Sequence, residues 1–329
     1  MKKDRIKEYV SYCHKYGLKC FIIVKICSIF NYKKRKTAFS WHCLEVKHKV
    51  ILSYLFNQYK GYFNNFNNKI ETTRSTSTTK YDRCIWTAWL QGEENAPDVI
   101  QLTIASMKQN SNGHQVIVLT NANVKEYINL PNDIEKKYLN GIITNAHFAD
   151  IIRMMVISKY GGLWLDATTY VSSPIDDSIF NTPFFSINKY NAYNPYVSKG
   201  RWVVGILGGC DNSHYLYIIS AILNQYWLDH DLCIDYFVFD YIIALLYREN
   251  EKFKEIVETL EPGNDNIYLL REIVNEKYDE RKLKKLFSSS KFFILPHRKK
   301  YLTYDNSKHI TNYAYLKAIV NKNKDIIQC

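Results

Sequence analysis

The sequence predicts an α/β fold with a mainly parallel sheet flanked by helices, preceded by a basic helical region. From Tyr81 onward, short apolar runs alternate with helical stretches, as they do where crossover helices join the strands of one sheet. Charge divides the chain at the same place. Residues 1–80 carry 17 Lys+Arg against 4 Asp+Glu, whereas residues 81–329 carry 27 against 28, so the net charge of +12 is all N-terminal. Between the two lies 71-ETTRSTSTTK-80, a polar Ser/Thr-rich stretch of linker composition. The expected organisation is a helical region over 1–80 and an α/β domain over 81–329.

Taken in order, the first helix rests on Ile6, Tyr9, Val10, Cys13 and Tyr16 at helical spacing, with Gly17 as a stop. Apolar residues 18–30, a basic cluster at 33–36 and a second helical run at 39–63 follow. In the α/β part the expected strands are 83–90, 115–120, 163–166, 184–187 and 203–207, each a short apolar run. The expected helices are 97–109, 132–139, 147–160, 215–228 and 236–249, and no internal repeat is visible.

Several function classes are disfavoured. The eight cysteines include no CxxC pair and no Cys/His spacing that closes a zinc site, and reduced thiols of a cytoplasmic protein are expected. A uniformly basic nucleic-acid binder does not concentrate its charge in one terminal region, so no nucleic-acid partner is expected. The first twenty residues alternate charged and apolar positions, unlike a signal peptide. The best apolar stretch, 20–30, contains Lys25 and falls short of the roughly 20 residues a spanning helix needs. The basic region with its amphipathic helix suits instead either the anionic inner face of a membrane or an ordinary helical packing role.

Chemistry concentrates in 145-NAHFADIIRMMVISKYGGLWLDATTYV-171. Asp150 and Arg153 lie three apart on an expected helix and share a face, so they can pair or jointly grip a polar ligand. Tyr160-Gly161-Gly162 breaks that helix, because glycine takes backbone conformations other residues resist. Leu163-Trp164-Leu165 then forms a strand that carries Asp166 to its carboxyl end, where open α/β sheets bind ligands.

An Asp and Arg at helical spacing, a Tyr-Gly-Gly break and a strand ending in Asp resemble the sugar-binding region of glycosyltransferase family 32, in particular its capsular polysaccharide synthesis branch. The match runs from Ala149 through Thr168. Upstream, 85-IWTAWLQGEENAP-97 is similar to the family's opening strand, with a Trp near a Gly and a Pro at the next helix. The resemblance covers about residues 81–175 well. It implies a GT-A fold, a nucleotide-sugar donor, a divalent cation (Mn2+ or Mg2+) and transfer with retention to a saccharide or lipid-linked saccharide acceptor. On that resemblance Asp150 and Arg153 hold donor-sugar hydroxyls, Asp166 contacts the metal or ribose, and Trp164 lines the sugar pocket. Trp89 becomes the platform for the nucleotide base, with Leu90 and Gly92 bordering the nucleotide and Asn145 opening the donor segment. A C-terminal lid over the diphosphate is expected from His297, Lys300, Lys308 and His309.

One departure stands out. Many members carry a second Asp two residues after the first, where this chain has Thr168, a weaker ligand for a hard cation than a carboxylate. Metal ligation by Asp166 and Thr168 is therefore an expectation with Thr168 as its weak point. Asp176 and Asp177 are spare oxygen donors or helix-cap residues. A carbohydrate-binding protein without turnover is the alternative function.

Overall fold

The computed structural model describes residues 2–30, 34, 36–67, 81, 83–261 and 266–320. The expected boundary at 71–80 and the cluster residues Lys33 and Arg35 lie outside the described residues.

Two long helices open the chain: α1 (Lys2–Ile29) and α2 (Ala38–Asn67). Gly17 interrupts α1 with φ 83 and ψ 156, as the stop predicts, but the helix resumes immediately and runs through the apolar stretch. Its buried stripe also differs from the expected one. Val10 is 63% exposed, whereas Tyr16 and Cys20 are buried, because the Tyr12 and Tyr16 hydroxyls donate to the carbonyls of Ile234 and Leu232. On α2, Ile51, Leu55, Tyr59 and Phe63 recur every fourth residue and form one buried face.

The remaining elements follow as β1 (Ile85–Ala88), α3 (Asp98–Gln109), β2 (Val116–Leu119), α4 (Val124–Tyr127), α5 (Asn132–Leu139), α6 (Asn145–Tyr160), β3 (Gly162–Leu165) and β4 (Thr169–Val171). Then come β5 (Phe185–Ser186), β6 (Ile206–Gly209), α7 (His214–Asp229), α8 (Val238–Glu249), α9 (Glu251–Glu258), α10 (Leu269–Ile273), α11 (Glu280–Ser289), β7 (Phe292–Ile294) and α12 (Asn312–Val320). The central sheet has the order β2-β1-β3-β6-β5. β1 pairs parallel with β2 and β3, and β6 is antiparallel to both β3 and β5, so β6 alone runs against the other four strands. A mixed, mainly parallel sheet flanked by helices is the GT-A-like architecture that the resemblance implies. A second small sheet pairs β4 with β7.

Three apolar clusters hold these layers. The largest joins Trp86 and Trp164 to α6, α7 and α8 and continues into α1 and α2. Another packs α3 against α10, α11 and α12, and the third fills the space around Ile85, Leu163, Leu165 and Ile206. The N-terminal helices are also tied by polar contacts, with Lys47 on Asp235 at 3.0 Å and Lys199 on Glu45 at 2.5 Å.

The sheet strands fall where the apolar runs predict them, with one shift. Residues 203–207 were expected as a strand, but β6 begins at Ile206 and runs through two glycines. A tight turn closed by Ile206 N–H on the Val203 carbonyl occupies 203–206. Gly208 lies so close to β3 that a Cβ would come 2.8 Å from the Gly162 carbonyl oxygen. Glycines that read locally as a strand end thus permit close strand pairing. α4, β4, β7 and the elements after Glu249 have no counterpart among the expected ones.

Candidate functional site

The parallel strands β1, β2 and β3 deliver their carboxyl ends to one edge of the sheet, placing Trp89, Thr120 and Asp166 there. Two further bonds extend that edge: Trp89 N–H donates to the Leu119 carbonyl and Asn121 N–H to the Leu90 carbonyl, each at 3.0 Å. Because β6 runs the other way, it brings its amino end to the same edge. Asp166 N–H there donates to the Gly205 carbonyl at 2.8 Å.

α6 runs antiparallel to β3 and ends at that strand's amino end. It starts at the Thr144 cap, whose hydroxyl accepts the His147 N–H at 3.3 Å, and it ends at Gly161. Gly161 has φ 67 and ψ −153, a region essentially reserved for glycine, and a Cβ there would lie 2.5 Å from the Asp211 nitrogen. This turn reverses the chain directly into β3 and so sets the distance between Arg153 and Asp166.

Arg153 is the centre of the site. It is 3% exposed, donating through Nη1 to Asp150 Oδ1 at 3.0 Å and through Nη2 to Asp166 Oδ1 at 2.6 Å. Trp164 Nε1 donates to the same Asp166 oxygen at 2.8 Å, and the guanidinium lies 5.1 Å from the Trp164 ring and 5.5 Å from that of Phe239. The expected Asp150–Arg153 pair therefore forms, and it gains Asp166 as a second partner. Removing Arg153 would leave two neighbouring carboxylates facing each other without a cation, so the guanidinium is what lets them share this site. Asp166 keeps 40% of its side chain exposed, and its Oδ2 sits over Gly205, where a Cβ would intrude to 2.5 Å. Burial raises the Asp150 carboxyl to about 7 against the opposing pull of Arg153.

A third carboxylate, absent from the sequence-based set, completes the group. Asp240 on α8 accepts a hydrogen bond from Trp202 Nε1 at 3.0 Å, and burial raises its pKa to about 7, with Trp202 and Arg153 opposing. Its signal in the sequence is a lone acid within the apolar run 238-VFDYII-243, a position that costs free energy unless something compensates it. Trp202 and Gly205 carry no such signal.

The other expected residues divide. Trp89 is partly buried at the sheet edge with its ring 5.8 Å from that of His297, edge to face, and its Nε1 has no partner among the described residues. Leu90 and Gly92 are buried in the turn that follows. Asn145 is exposed at the start of α6 and lines a cavity of about 410 Å³ with Asn121, Leu139 and Phe148. Trp164 is 1% exposed, so it supports the site from beneath and offers little surface to a ligand. His309 is held by Asp305 within its own turn, and His297 is the member of the expected lid that reaches Trp89. The lid segment is anchored beside Thr168, whose carbonyl accepts the Leu295 N–H at 2.8 Å.

Among the described residues no three His, Cys, Asp or Glu side chains gather as a ready-made metal cage. Asp166 Oδ2 and the partly exposed Thr168 hydroxyl are the oxygen donors at this strand end. They fit a divalent cation only as part of its shell, since such an ion takes about six or more oxygens and commonly draws some from a phosphate ligand and water. Asp176 and Asp177 are engaged elsewhere: Lys291 reaches Asp176, and His114 and Asn112 hold Asp177 near the start of β2, at the opposite end of the sheet. The His114 bond keeps the Asp177 carboxyl below its usual range.

A stretch of the chain is 23% identical over 109 residues to an O-glycosyltransferase, braB, of Annulohypoxylon truncatum, covering 30% of this chain and 26% of that protein. The chain thus spans about a quarter of the length of this relative. The family model for capsular polysaccharide synthesis proteins matches residues 31–316, taking in α2, the whole central sheet and the Asp150–Arg153–Asp166–Asp240 group. On that match, the chain belongs to the capsular polysaccharide synthesis protein family.

Proposed function

We propose that this protein is a glycosyltransferase that moves a hexose from a nucleotide-sugar donor to a growing surface polysaccharide, capsular or O-antigen, with retention at the anomeric carbon. One observation carries the reading: Arg153 clamps Asp150 and Asp166 at the carboxyl edge of the sheet, beside Trp89. Family membership and the partial likeness to an O-glycosyltransferase support it.

In this reading the base stacks on Trp89 or enters the cavity beside Asn145, and the donor sugar lies over Asp150 and Asp166. Cleaving the bond between sugar and diphosphate develops positive character on the ring and negative charge on the leaving group. Three carboxylates around one guanidinium place excess negative charge at the ring's side of the site. His297 and the neighbouring basic residues of 297–300 supply the opposite sign toward the diphosphate. The acceptor oxygen bonds to the anomeric carbon on the face the diphosphate leaves, and its proton passes to the departing phosphate oxygen. A divalent cation held by Asp166 and Thr168 would add charge neutralisation at the diphosphate.

The chain is proposed to act in the cytoplasm, on the inner face of the membrane. No described helix is long and apolar enough to cross a bilayer. Exposed Val10, Leu18, Ile22, Ile29 and Phe39, set among exposed Lys7, Lys19, Lys34 and Lys36, would meet an anionic surface instead.

The test is a panel of nucleotide sugars with Mn2+, with donor hydrolysis and donor binding both followed. At least one donor should be hydrolysed, and Asp166→Ala should lower that rate by about 100-fold or more. Binding without turnover would identify a nucleotide-sugar-binding protein. No binding by any donor, or an unchanged rate in the variant, would sink the proposal.

A further inference from the structure

Asp240 belongs to two places at once. Its neighbour Phe239 packs on the Arg153 guanidinium, and Trp202, which holds it, leads through 203–205 to the wall against Asp166. Asp240 also lines a cavity of about 180 Å³ between α2 and α8, with Phe30 and Leu44 on the side of the N-terminal helices and Tyr196 and Phe237 opposite. The last two rings meet edge to face at 5.0 Å. A volume of that size has room for about six waters, the scale of one sugar ring.

The polar groups of this cavity are mostly satisfied within the protein. Lys47 is paired with Asp235, and His48 bonds the Tyr241 hydroxyl at 2.7 Å and approaches the Pro195 carbonyl at 3.3 Å. Asp240 Oδ1 takes the Trp202 N–H, while Oδ2 accepts no hydrogen bond among the described residues. A carboxylate oxygen left without a donor in a lining otherwise rich in rings calls for a ligand with both hydroxyl donors and an apolar face. A pyranose has both. An acyl chain would fill the volume but leave Asp240 Oδ2 without a donor, which costs free energy.

We propose that this cavity is the subsite for the sugar ring of the saccharide acceptor, with a ring hydroxyl donating to Asp240 Oδ2 and the C–H face against Tyr196 and Phe237. The sugar's role as acceptor rests on the glycosyltransferase reading, whereas its binding does not. Asp240 then stands between the bound acceptor and the donor-side carboxylates. The N-terminal helices become one wall of the acceptor subsite.

The experiment uses the full chain without donor. Saturation-transfer NMR with p-nitrophenyl hexosides, and separately with dodecanoate, reports what enters the cavity. At least one hexoside should bind, and Leu44→Trp, which fills the cavity, should weaken it by about tenfold or more. Asp240→Asn keeps an acceptor for Trp202 but turns the free oxygen into an amide donor, and it should weaken the same hexoside about three- to tenfold. Thermal melts check that both variants fold. Absence of binding by any hexoside to the native chain overturns the proposal, as does hexoside binding that neither variant alters. Dodecanoate binding that Leu44→Trp abolishes, with no hexoside bound, assigns the cavity to an apolar chain and also overturns it. Hexoside binding in a protein that binds no nucleotide sugar would defeat the glycosyltransferase reading and leave the sugar site standing. Donor hydrolysis without cavity-dependent hexoside binding would do the reverse.

Discussion

Arg153 organises the site because, among the described residues, it alone pairs with both Asp150 and Asp166, one through each terminal nitrogen. Asp240 lies farther out and depends on Trp202 for its hydrogen bond. Its pH behaviour follows from burial. The folded chain holds the Asp240 proton up to a pKa of about 7, against an ordinary value of 3.8, so folding favours the protonated form. Stability from this group is therefore fully present below about pH 4 and is lost as the pH rises through 7. Asp240→Asn, neutral at every pH, should escape that loss. The variant should be more stable than the native chain at pH 8, by up to about 4 kcal/mol, with the gap shrinking toward pH 5. Urea titrations at both pH values measure it, and a gap that does not change with pH would contradict the assignment.

At the scale of elements, the turn between α6 and β3 carries the most constraint. Gly162 has φ 96, and a Cβ there would lie 2.3 Å from the Cys84 carbonyl oxygen and 2.8 Å from Trp86 Nε1. Backbone and a fully buried indole cannot give way cheaply. Gly113 has a similar φ of 84 with nothing within 4 Å of the added carbon, so it isolates the backbone strain. Gly162→Ala should cost about 3–5 kcal/mol, and Gly113→Ala only about 1–2 kcal/mol. Equal losses in the two unfolding curves would mean that close strand approach contributes nothing. Donor-site function should fall with Gly162→Ala alone, since only that turn fixes Arg153 against Asp166.

For the whole molecule, the N-terminal helices are where charge and packing meet. Their buried side joins the main apolar cluster, and their exposed side combines apolar residues with lysines. The full chain should be retained on vesicles containing anionic lipid and released as salt screens the attraction. Equal retention on neutral vesicles, or none on anionic ones, would remove the membrane role. Most strands and helices from Ile85 to Glu249 were legible in the sequence because apolar periodicity and glycine breaks act over a few residues. The same local signals placed Asp150 and Arg153 on one helix and Asp166 at a strand end. They were blind to α4, β4 and β7, short elements of which the two strands pair across more than 120 positions, and they misplaced the start of β6. Thus the sequence by itself determined the fold class, the basic N-terminal region and the helix-turn-strand that carries the site. Tertiary structure alone decided that Arg153 bridges both aspartates, that His297 and not His309 meets Trp89, and that Asp240, Trp202 and Gly205 join them. Those contacts bring together residues as far apart in the chain as Trp89 and His297, and such convergence is set by the packing of whole layers, which no local pattern encodes.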